Sequence, residues 1–382
     1  MSILKYKQNC CGCGTCELVC PIHCISMQTD REGFKYPVVD SNACIECRIC
    51  EKNCVVVTAS KNKCRGNYPL FFAAQASNEA VVFNSSSGGV FTLLAEYIID
   101  NRGAVAGASF SETLDVVHII IEEKKDIHHL QGSKYVQSDL LKTFVQTRIL
   151  LEDGRFVLFS GTSCQIEGLR NYLNKSYDNL FLVDLICHGV PMPKLWRKYL
   201  QYQENKFKSE IQYANFREKT TGWLSYNMHL KFTDSKEYKK KVAEEPYMRL
   251  FLSNYFLRES CYDCKFKNLD KPSDITLSDF WEIKYAFPEL DDDKGLSLVF
   301  VNTEKGRLLF DHVNKKMKCY QTTKEKALFN NPTVLKSSLR PVKRNEIVGQ
   351  IDEISFKELL KKSCVPLWRD KYRRLKNRIR NK

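Results

Sequence analysis

Short β-prone segments on either side of Gly33, in ISMQTDREGFKYPVVD, predict a hairpin. A polar linker, SKNKCRGNYP, follows it, and FFAAQA then reads as a short strand. SSSGGVFTLLAEYIIDN reads as a Ser/Gly loop feeding an amphipathic helix, with Phe91, Leu94, Ala95 and Ile98 on one face and Asn101-Arg102-Gly103 as its stop. AVAGASF and VVHIIIE read as strands, and DIHHLQGSKYVQSDLLKTFVQTRILLEDG holds one or two helices. RFVLFSGT and LFLVDLICHG are nearly continuous apolar runs, as expected of buried parallel strands. Each ends in a small or polar loop carrying a cysteine, at the place where open α/β sheets hold ligands. Further on, ANFREKTTGW, a cysteine pair at 261 and 264, and SDITLSDFW suggest strands and loops around a second site. GLSLVFVNTEKGRLLFDHV predicts strand, turn and helix. From Ser355 the chain predicts helix, with Trp368, Tyr372, Leu375 and Ile379 on one face.

The cysteines change this picture most. Ten of the seventeen fall in the first 60 residues, and they repeat: Cys10, Cys13, Cys16 and Cys20 recur as Cys44, Cys47, Cys50 and Cys54, each displaced by 34 positions. A C-x2-C-x2-C segment wraps three corners of a 4Fe-4S cube, and in the two-cluster arrangement the distal cysteine of each run serves the other cluster. Cys10, Cys13, Cys16 and Cys54 are therefore assigned to one cluster, and Cys20, Cys44, Cys47 and Cys50 to the other. Pro21 follows Cys20 as that pattern expects, while Val55 stands where a second proline is usual. A zinc module, which closes at four ligands, fits these eight cysteines poorly. Cys11 and Cys24 have no ligand position and read as small buried side chains beside the clusters. Two duplicated halves this small need the clusters as their core.

Length predicts two or three domains. No run of about 18 apolar residues predicts a transmembrane helix, and the N-terminal MSILKYKQNC has no apolar region of the secretory kind. Cysteines spaced as metal ligands in such a chain point to reduced thiols and a cytoplasmic setting. The net charge is +14, but residues 366–382 carry eight Lys/Arg against one Asp, half of the excess. Basicity is thus a property of the tail. No nucleic-acid partner is expected for the body, while a basic amphipathic tail suits peripheral membrane or acidic-partner contact.

Cys164 in GTSCQ, Cys187 in DLICHG, and Cys261 and Cys264 in SCYDCKF sit at loop positions; spacing alone leaves open a metal site, core packing or no role. Cys64, Cys319 and Cys364 read as structural. Ser87, Gly88 and Gly89 would let backbone N–H groups approach an anionic phosphate at a helix N-terminus, or simply cap the helix. Gly132, Ser133, Lys134 and Tyr135 offer donors, a charge and a ring. No G-x-G-x-x-G fingerprint of a nicotinamide dinucleotide site is present.

Eight segments in order resemble the family of beta subunits of coenzyme F420 (deazaflavin) hydrogenases and dehydrogenases, in the version with a fused ferredoxin domain. They are SSSGGVFTLLAEYI, GSKYVQSD, VLFSGTSCQIEGL, DLICHGVP, NFREKTTGW, ESCYDCKF, SDITLSDFW and DDDKGLSLV. The resemblance implies an α+β ferredoxin-like dicluster domain over residues 1–60. A larger α/β flavin-binding domain would follow, its first part over 61–155 and its second, with a third cluster, over 156–330, ahead of a basic helical tail over 331–382. It implies FAD, with FMN as the alternative, at Ser87, Gly88, Gly89, Gly132, Ser133, Lys134 and Tyr135. It also implies a third 4Fe-4S cluster on Cys164, Cys187, Cys261 and Cys264. Ser163 departs from the family's proline before the first of these. His188 is a candidate to move a proton at the flavin or substrate.

The implied activity is an oxidoreductase that exchanges electrons between a hydride donor, reduced deazaflavin or similar, and one-electron clusters. The route would run from donor to flavin, body cluster and ferredoxin pair, then to a redox partner protein or ferredoxin, in either direction. The alternatives are a ferredoxin-linked flavin reductase of an unknown, polysaccharide-related substrate, and a relay subunit with no substrate of its own.

Overall fold

Thirteen strands organise the described residues: β1 (Ile25–Thr29), β2 (Lys35–Val39), β3 (Leu70–Ala76), β4 (Ala104–Phe110), β5 (Val116–Ile121), β6 (Val157–Thr162), β7 (Leu180–Leu185), β8 (Ile211–Glu218), β9 (Asn227–Phe232), β10 (Glu237–Lys241), β11 (Ile275–Asp279), β12 (Ser297–Val301) and β13 (Met317–Thr322). The computed structural model describes residues 8–59, 68–281 and 283–364. Residues 60–67 of the predicted linker, with Cys64, and the tail face of Trp368, Tyr372, Leu375 and Ile379 lie outside them.

Eight strands form one mixed sheet in the order β13-β3-β12-β11-β7-β6-β4-β5. β4, β6, β7 and β11 run parallel, and the flanking strands pair antiparallel. The apolar runs of β6 and β7 lie at its middle, with Val157, Leu158, Phe159 and Val183 fully buried. Continuous hydrophobicity follows from cover on both faces. Helices Val90–Asp100 and Glu304–Val313 contribute to one core cluster, and Ser163–Leu173 to another. The first of these helices buries Val90, Thr92 and Leu93 as well as Leu94, Ala95 and Ile98, while Phe91 is only half-buried. It is wedged between the sheet and a second helix, so one apolar stripe does not describe it.

β8, β9 and β10 form a separate antiparallel sheet. Its core gathers Trp196, Tyr199, Phe216 and Tyr247, and two residues of the N-terminal hairpin, Phe34 and Tyr36, join that core. Fully burying one such side chain contributes about 1.5–3 kcal/mol. The cysteine-rich segment therefore shares the body's packing. Ion pairs pin the hairpin as well: Glu32 to the buried Arg344 at 2.6 Å, and Lys35 to Asp139 at 2.6 Å.

Glu245 caps helix Pro246–Leu252 inside this core, accepting from the Met248 N–H at 2.8 Å and the Tyr199 hydroxyl at 2.7 Å. Burial raises its carboxyl from 4.5 to about 7. The folded chain thus holds a proton that the unfolded chain releases earlier. The contribution is full below the unfolded value and is lost as pH rises through about 7. Glu245→Gln should flatten the fall in urea midpoint between about pH 5 and 8, a difference on the order of 1–3 kcal/mol. An unchanged pH slope would show the carboxyl to be ionised throughout.

Candidate functional site

The two N-terminal cysteine runs repeat in backbone as well as in sequence. Helices Thr15–Leu18 and Ile49–Lys52 stand 34 residues apart. Left-handed Gly12 (φ 72°) and Gly14 (φ 77°) recur as Glu46 (φ 54°) and Arg48 (φ 60°). Such alternation turns N–H groups inward towards sulfur, and the Gly12 N–H donates to Cys10 Sγ at 3.4 Å.

The cysteines of each assigned set come together across the repeat. Cys10, Cys13, Cys16 and Cys54 lie close enough for charge on one to disfavour charge on its neighbours, and burial raises the Cys16 and Cys54 thiols further. Cys20, Cys44, Cys47 and Cys50 line one cavity of about 630 Å3, together with Cys24. Cys24 approaches Cys20 with their sulfurs 3.5 Å apart. Cys47 is exposed, so this set opens to solvent, whereas Cys16 is buried.

A second cavity, about 740 Å3 including its mouth, lies at the carboxyl ends of β6 and β7. Cys164, Cys187, Cys261 and Cys264 all line it. A capping box at Thr162, with the Gln165 side chain accepting from the Thr162 N–H at 2.9 Å, starts helix Ser163–Leu173 and sets Cys164 in its first turn. A thiolate there faces the positive end of the helix dipole. Cys187 follows β7 directly, and Cys261 and Cys264 come from the turn Glu259–Asp263 and the residue after it. Ser163 donates to the buried Asp184, which also accepts from Ser273 at 2.7 Å. The hydroxyl thus anchors the loop at the position where the sequence departs from proline.

Burial raises Cys187 to about 11 and also lifts Cys261 and Cys264. These three buried thiols would resist ionising together without a positive guest, whereas hydrogen bonding lowers Cys164. Lys267, Lys271 and Arg258 also line this cavity. Lys267 donates to the carbonyl of Cys187, and burial lowers the Lys271 ammonium. Four thiols with three cations behind them fit an iron–sulfur cluster, whose irons neutralise the sulfurs while the cations balance its remaining negative charge. Among the described residues no group of three or more His, Cys, Asp or Glu closes as tightly as a single ion needs.

Arg258 joins this cavity to the first cysteine run. Fully buried, it donates to the carbonyls of Cys10 at 2.6 Å and Lys35 at 2.8 Å, to Gln137 Oε1 at 2.9 Å, and to Cys10 Sγ at 3.7 Å. Its guanidinium also stacks over Tyr36 at 4.1 Å. Gly12 fits beneath it: a Cβ there would stand 2.8 Å from Arg258 Nη1. Cys13 rests on the helix that carries Cys164, at Gly168, where an added Cβ would lie 2.8 Å from the Cys13 Cβ.

His188 lines the cavity, and its Nε2–H donates to Asn254 Oδ1 at 2.7 Å. Burial lowers its pKa, which keeps the ring neutral. Its ring meets Phe251 edge-on at 5.1 Å, and Phe251 stacks on Tyr135 at 5.0 Å. An aromatic path therefore leads from the cavity to the loops at 85–89 and 132–135.

Those loops are tied to each other and to two cations, Arg217 and Lys219, that carry no signature in the sequence. Ser133 N–H donates to Ser86 Oγ at 2.8 Å, Gly88 N–H to Ser297 Oγ at 2.9 Å, and Ser87 Oγ to the Leu296 carbonyl at 2.7 Å. Gly89 (φ 87°) and Gly132 (φ 78°) make left-handed turns. Lys134 donates to the carbonyls of His129 and Gln131, and burial lowers its ammonium to about 7. Lys219 points at three carbonyls, those of Val82, Ser87 and Lys294, and burial lowers it to about 8. Arg217 pairs with Asp279 at 2.9 Å and bonds the Ser86 carbonyl at 2.9 Å, while its buried Nε has no partner. Lys134 and Lys219 are held by carbonyls rather than by carboxylates, and burial weakens the positive charge on both. Arg217 and Lys219 lie in and just after β8, inside the segment NFREKTTGW; charged residues in a strand carry no mark of burial in sequence.

Cys319 lies half-buried on β13, and Cys364 packs beside the core of the smaller sheet. No helix among the described residues is long and apolar enough to cross a membrane.

Two family models, both described as coenzyme F420 hydrogenase/dehydrogenase beta subunit, match the chain. The N-terminal model matches residues 71–144 and the C-terminal model residues 154–326. Together they span more than half of the chain and begin beyond both N-terminal cysteine runs. The F subunit of the F420H2 dehydrogenase of Methanosarcina mazei is 23% identical over 332 residues, 82% of this chain and 85% of its own length. An uncharacterized protein of Methanocaldococcus jannaschii is 25% identical over 203 residues, 45% of this chain and 55% of its own. A chain of the xenon-derivatised F420-reducing NiFe hydrogenase complex from Methanosarcina barkeri aligns with a TM-score of 0.46 at 15% identity, covering 67% of this chain and 82% of that one.

Proposed function

Because the chain belongs to the family of coenzyme F420 hydrogenase/dehydrogenase beta subunits, we propose that it is an iron–sulfur flavoprotein oxidoreductase linking a hydride donor to one-electron carriers. The observation that carries this reading is the continuity of the three cysteine sets. Cys164 shares its cavity with Cys11 of the first N-terminal run, and Cys13 packs on the helix that carries it. Cys16 and Cys20 tie that run to the second through one short helix, and the second set ends at the exposed Cys47. Each set holds one 4Fe-4S cluster, and the exposed end is where a redox partner protein or ferredoxin docks.

Ser87, Gly88, Gly89, Gly132, Ser133, Lys134 and Tyr135 would hold the flavin, FAD, and a phosphate beside Lys134 and Lys219 would restore the charge that burial takes from both. A bound flavin supplies the exchange between electron pairs and single electrons. Arg217 orients Asp279 and Tyr135 at that site. His188, neutral and fixed by Asn254, is placed to hold a proton beside the cavity. Reduced deazaflavin is the favoured donor, since the Methanosarcina mazei relative is by name a dehydrogenase of F420H2.

Anaerobic purification with iron, sulfide and flavin determination tests this. About twelve irons and one flavin per chain are expected, with flavin bleaching by the reduced coenzyme. About eight irons and no flavin, after reconstitution with both, would overturn it. Bleaching without turnover of any acceptor by the isolated chain would assign it the relay role.

A further inference from the structure

Residues 331–344 lie beyond the segment matched by the C-terminal family model, which ends at residue 326. They form a strap along the turns that carry three of the four body cysteines. Val334, fully buried in the core of Phe280, Ile283 and Leu296, roots the strap. From 335 to 343 the chain has neither helix nor strand, and side chains hold it instead. The Cys264 N–H donates to Ser337 Oγ at 3.0 Å. Ser338 donates at 2.7 Å to the carbonyl of His188, the residue after Cys187. Arg340 pairs at 2.6 Å with Glu259, where the turn bearing Cys261 begins. Lys267 joins strap to body, donating to the carbonyl of Cys187 and, at 2.8 Å, to that of Thr333. Lys267 and Thr333 both line the cavity of the four cysteines.

We propose that Lys267 and this strap are positioning elements of the body cluster, fixing its ligand turns and raising its reduction potential. The inference rests on the reading of Cys164, Cys187, Cys261 and Cys264 as cluster ligands. A segment without a hydrogen-bond ladder of its own opens readily unless side chains tie it down. Here each tie ends on a turn that carries a cysteine, so those turns are fixed relative to one another. An ammonium has three N–H groups. Two go to the carbonyls of Cys187 and Thr333, and the third is left for the cluster. A fixed positive charge beside a cluster favours its reduced form, which carries one more negative charge. Because Thr333 shares the ammonium with Cys187, loosening the strap also frees that charge to move away. Lys267 thus acts through charge and position, and the four ligand places stay with the cysteines.

The test uses the full-length protein purified anaerobically, as parent, Lys267→Met, Lys267→Arg and the double variant Ser337→Ala/Ser338→Ala. Iron is counted, and potentiometric titration is followed by paramagnetic resonance. About twelve irons are expected in each. Lys267→Met should lower one of the three midpoints and leave the other two in place. Lys267→Arg, which keeps the charge and the donors, should recover most of the shift. In the double variant, trypsin should cut after the exposed Lys336 and Lys343 several-fold faster than in the parent. A chelator should also remove about four of its irons faster. Unmoved midpoints in Lys267→Met at full iron, or an equal fall in all three, would overturn the inference. So would parent rates of cleavage and iron loss in the double variant. Should Lys267→Met hold only about eight irons, twelve in Lys267→Arg would support the inference and eight in both would overturn it. About eight irons in the parent itself would remove the body cluster, and the inference with it.

Discussion

Arg258→Ala should lower the unfolding free energy by about 3–5 kcal/mol, as the loss of a buried polar network does. The change leaves the Cys10 and Lys35 carbonyls and Gln137 Oε1 without their shared donor. Each unpaired acceptor costs about 1–3 kcal/mol. The stack on Tyr36 adds about 2 kcal/mol when desolvated. Arg258→Lys should recover little, because one ammonium cannot reach three acceptors on different segments while stacking. Urea denaturation measures the stability. Limited proteolysis between residues 59 and 68 reports whether the N-terminal segment has come loose. A midpoint within about 1 kcal/mol of the parent, with unchanged cleavage, would mean the hairpin's own packing holds the segment. Removal of a cation beside Cys10 should also lower the potential of the cluster proposed there.

The second large effect is compositional. Cys187→Ala should remove about four irons per chain and leave the signals of the N-terminal clusters intact. Cys187 follows β7, and the charges that act on it most are those of Lys267, Cys164 and Cys264, all in the body. Loss of all iron would show that the body and N-terminal sets assemble as one unit. Iron equal to the parent would rule out Cys187 as a ligand.

The repeat of the N-terminal cysteine runs was readable from sequence because it is local. Three cysteines within seven residues constrain the loop whatever surrounds it. The parallel strands β6 and β7 were readable for a similar reason: burial on two faces leaves no polar alternation. The quartet of Cys164, Cys187, Cys261 and Cys264 spans about a hundred residues, and only family resemblance placed it in one site. Arg217, Lys219 and Arg258 were not readable at all. A cation's burial depends on which carbonyls and rings the fold brings to it, and nothing in the neighbouring residues records that. The hairpin shows the same limit. Its turn at Gly33 is legible, but Phe34 and Tyr36 entering the core of β8–β10 depends on a surface that is built some 180 residues later.

The duplicated arms have diverged where their surroundings differ. At one left-handed position the first arm has Gly12, roofed by Arg258; at the equivalent position the second has Glu46, facing solvent. The backbone is the same, but a side chain is tolerated on one copy and excluded from the other. The N-terminal segment is therefore keyed like a plug with one permitted insertion. Rotating it by its own pseudo-symmetry would drive Glu46 into a guanidinium that has no room for it. A duplicated segment, whose two ends would otherwise be interchangeable, is in this way given a polarity, and its second arm is the one left exposed.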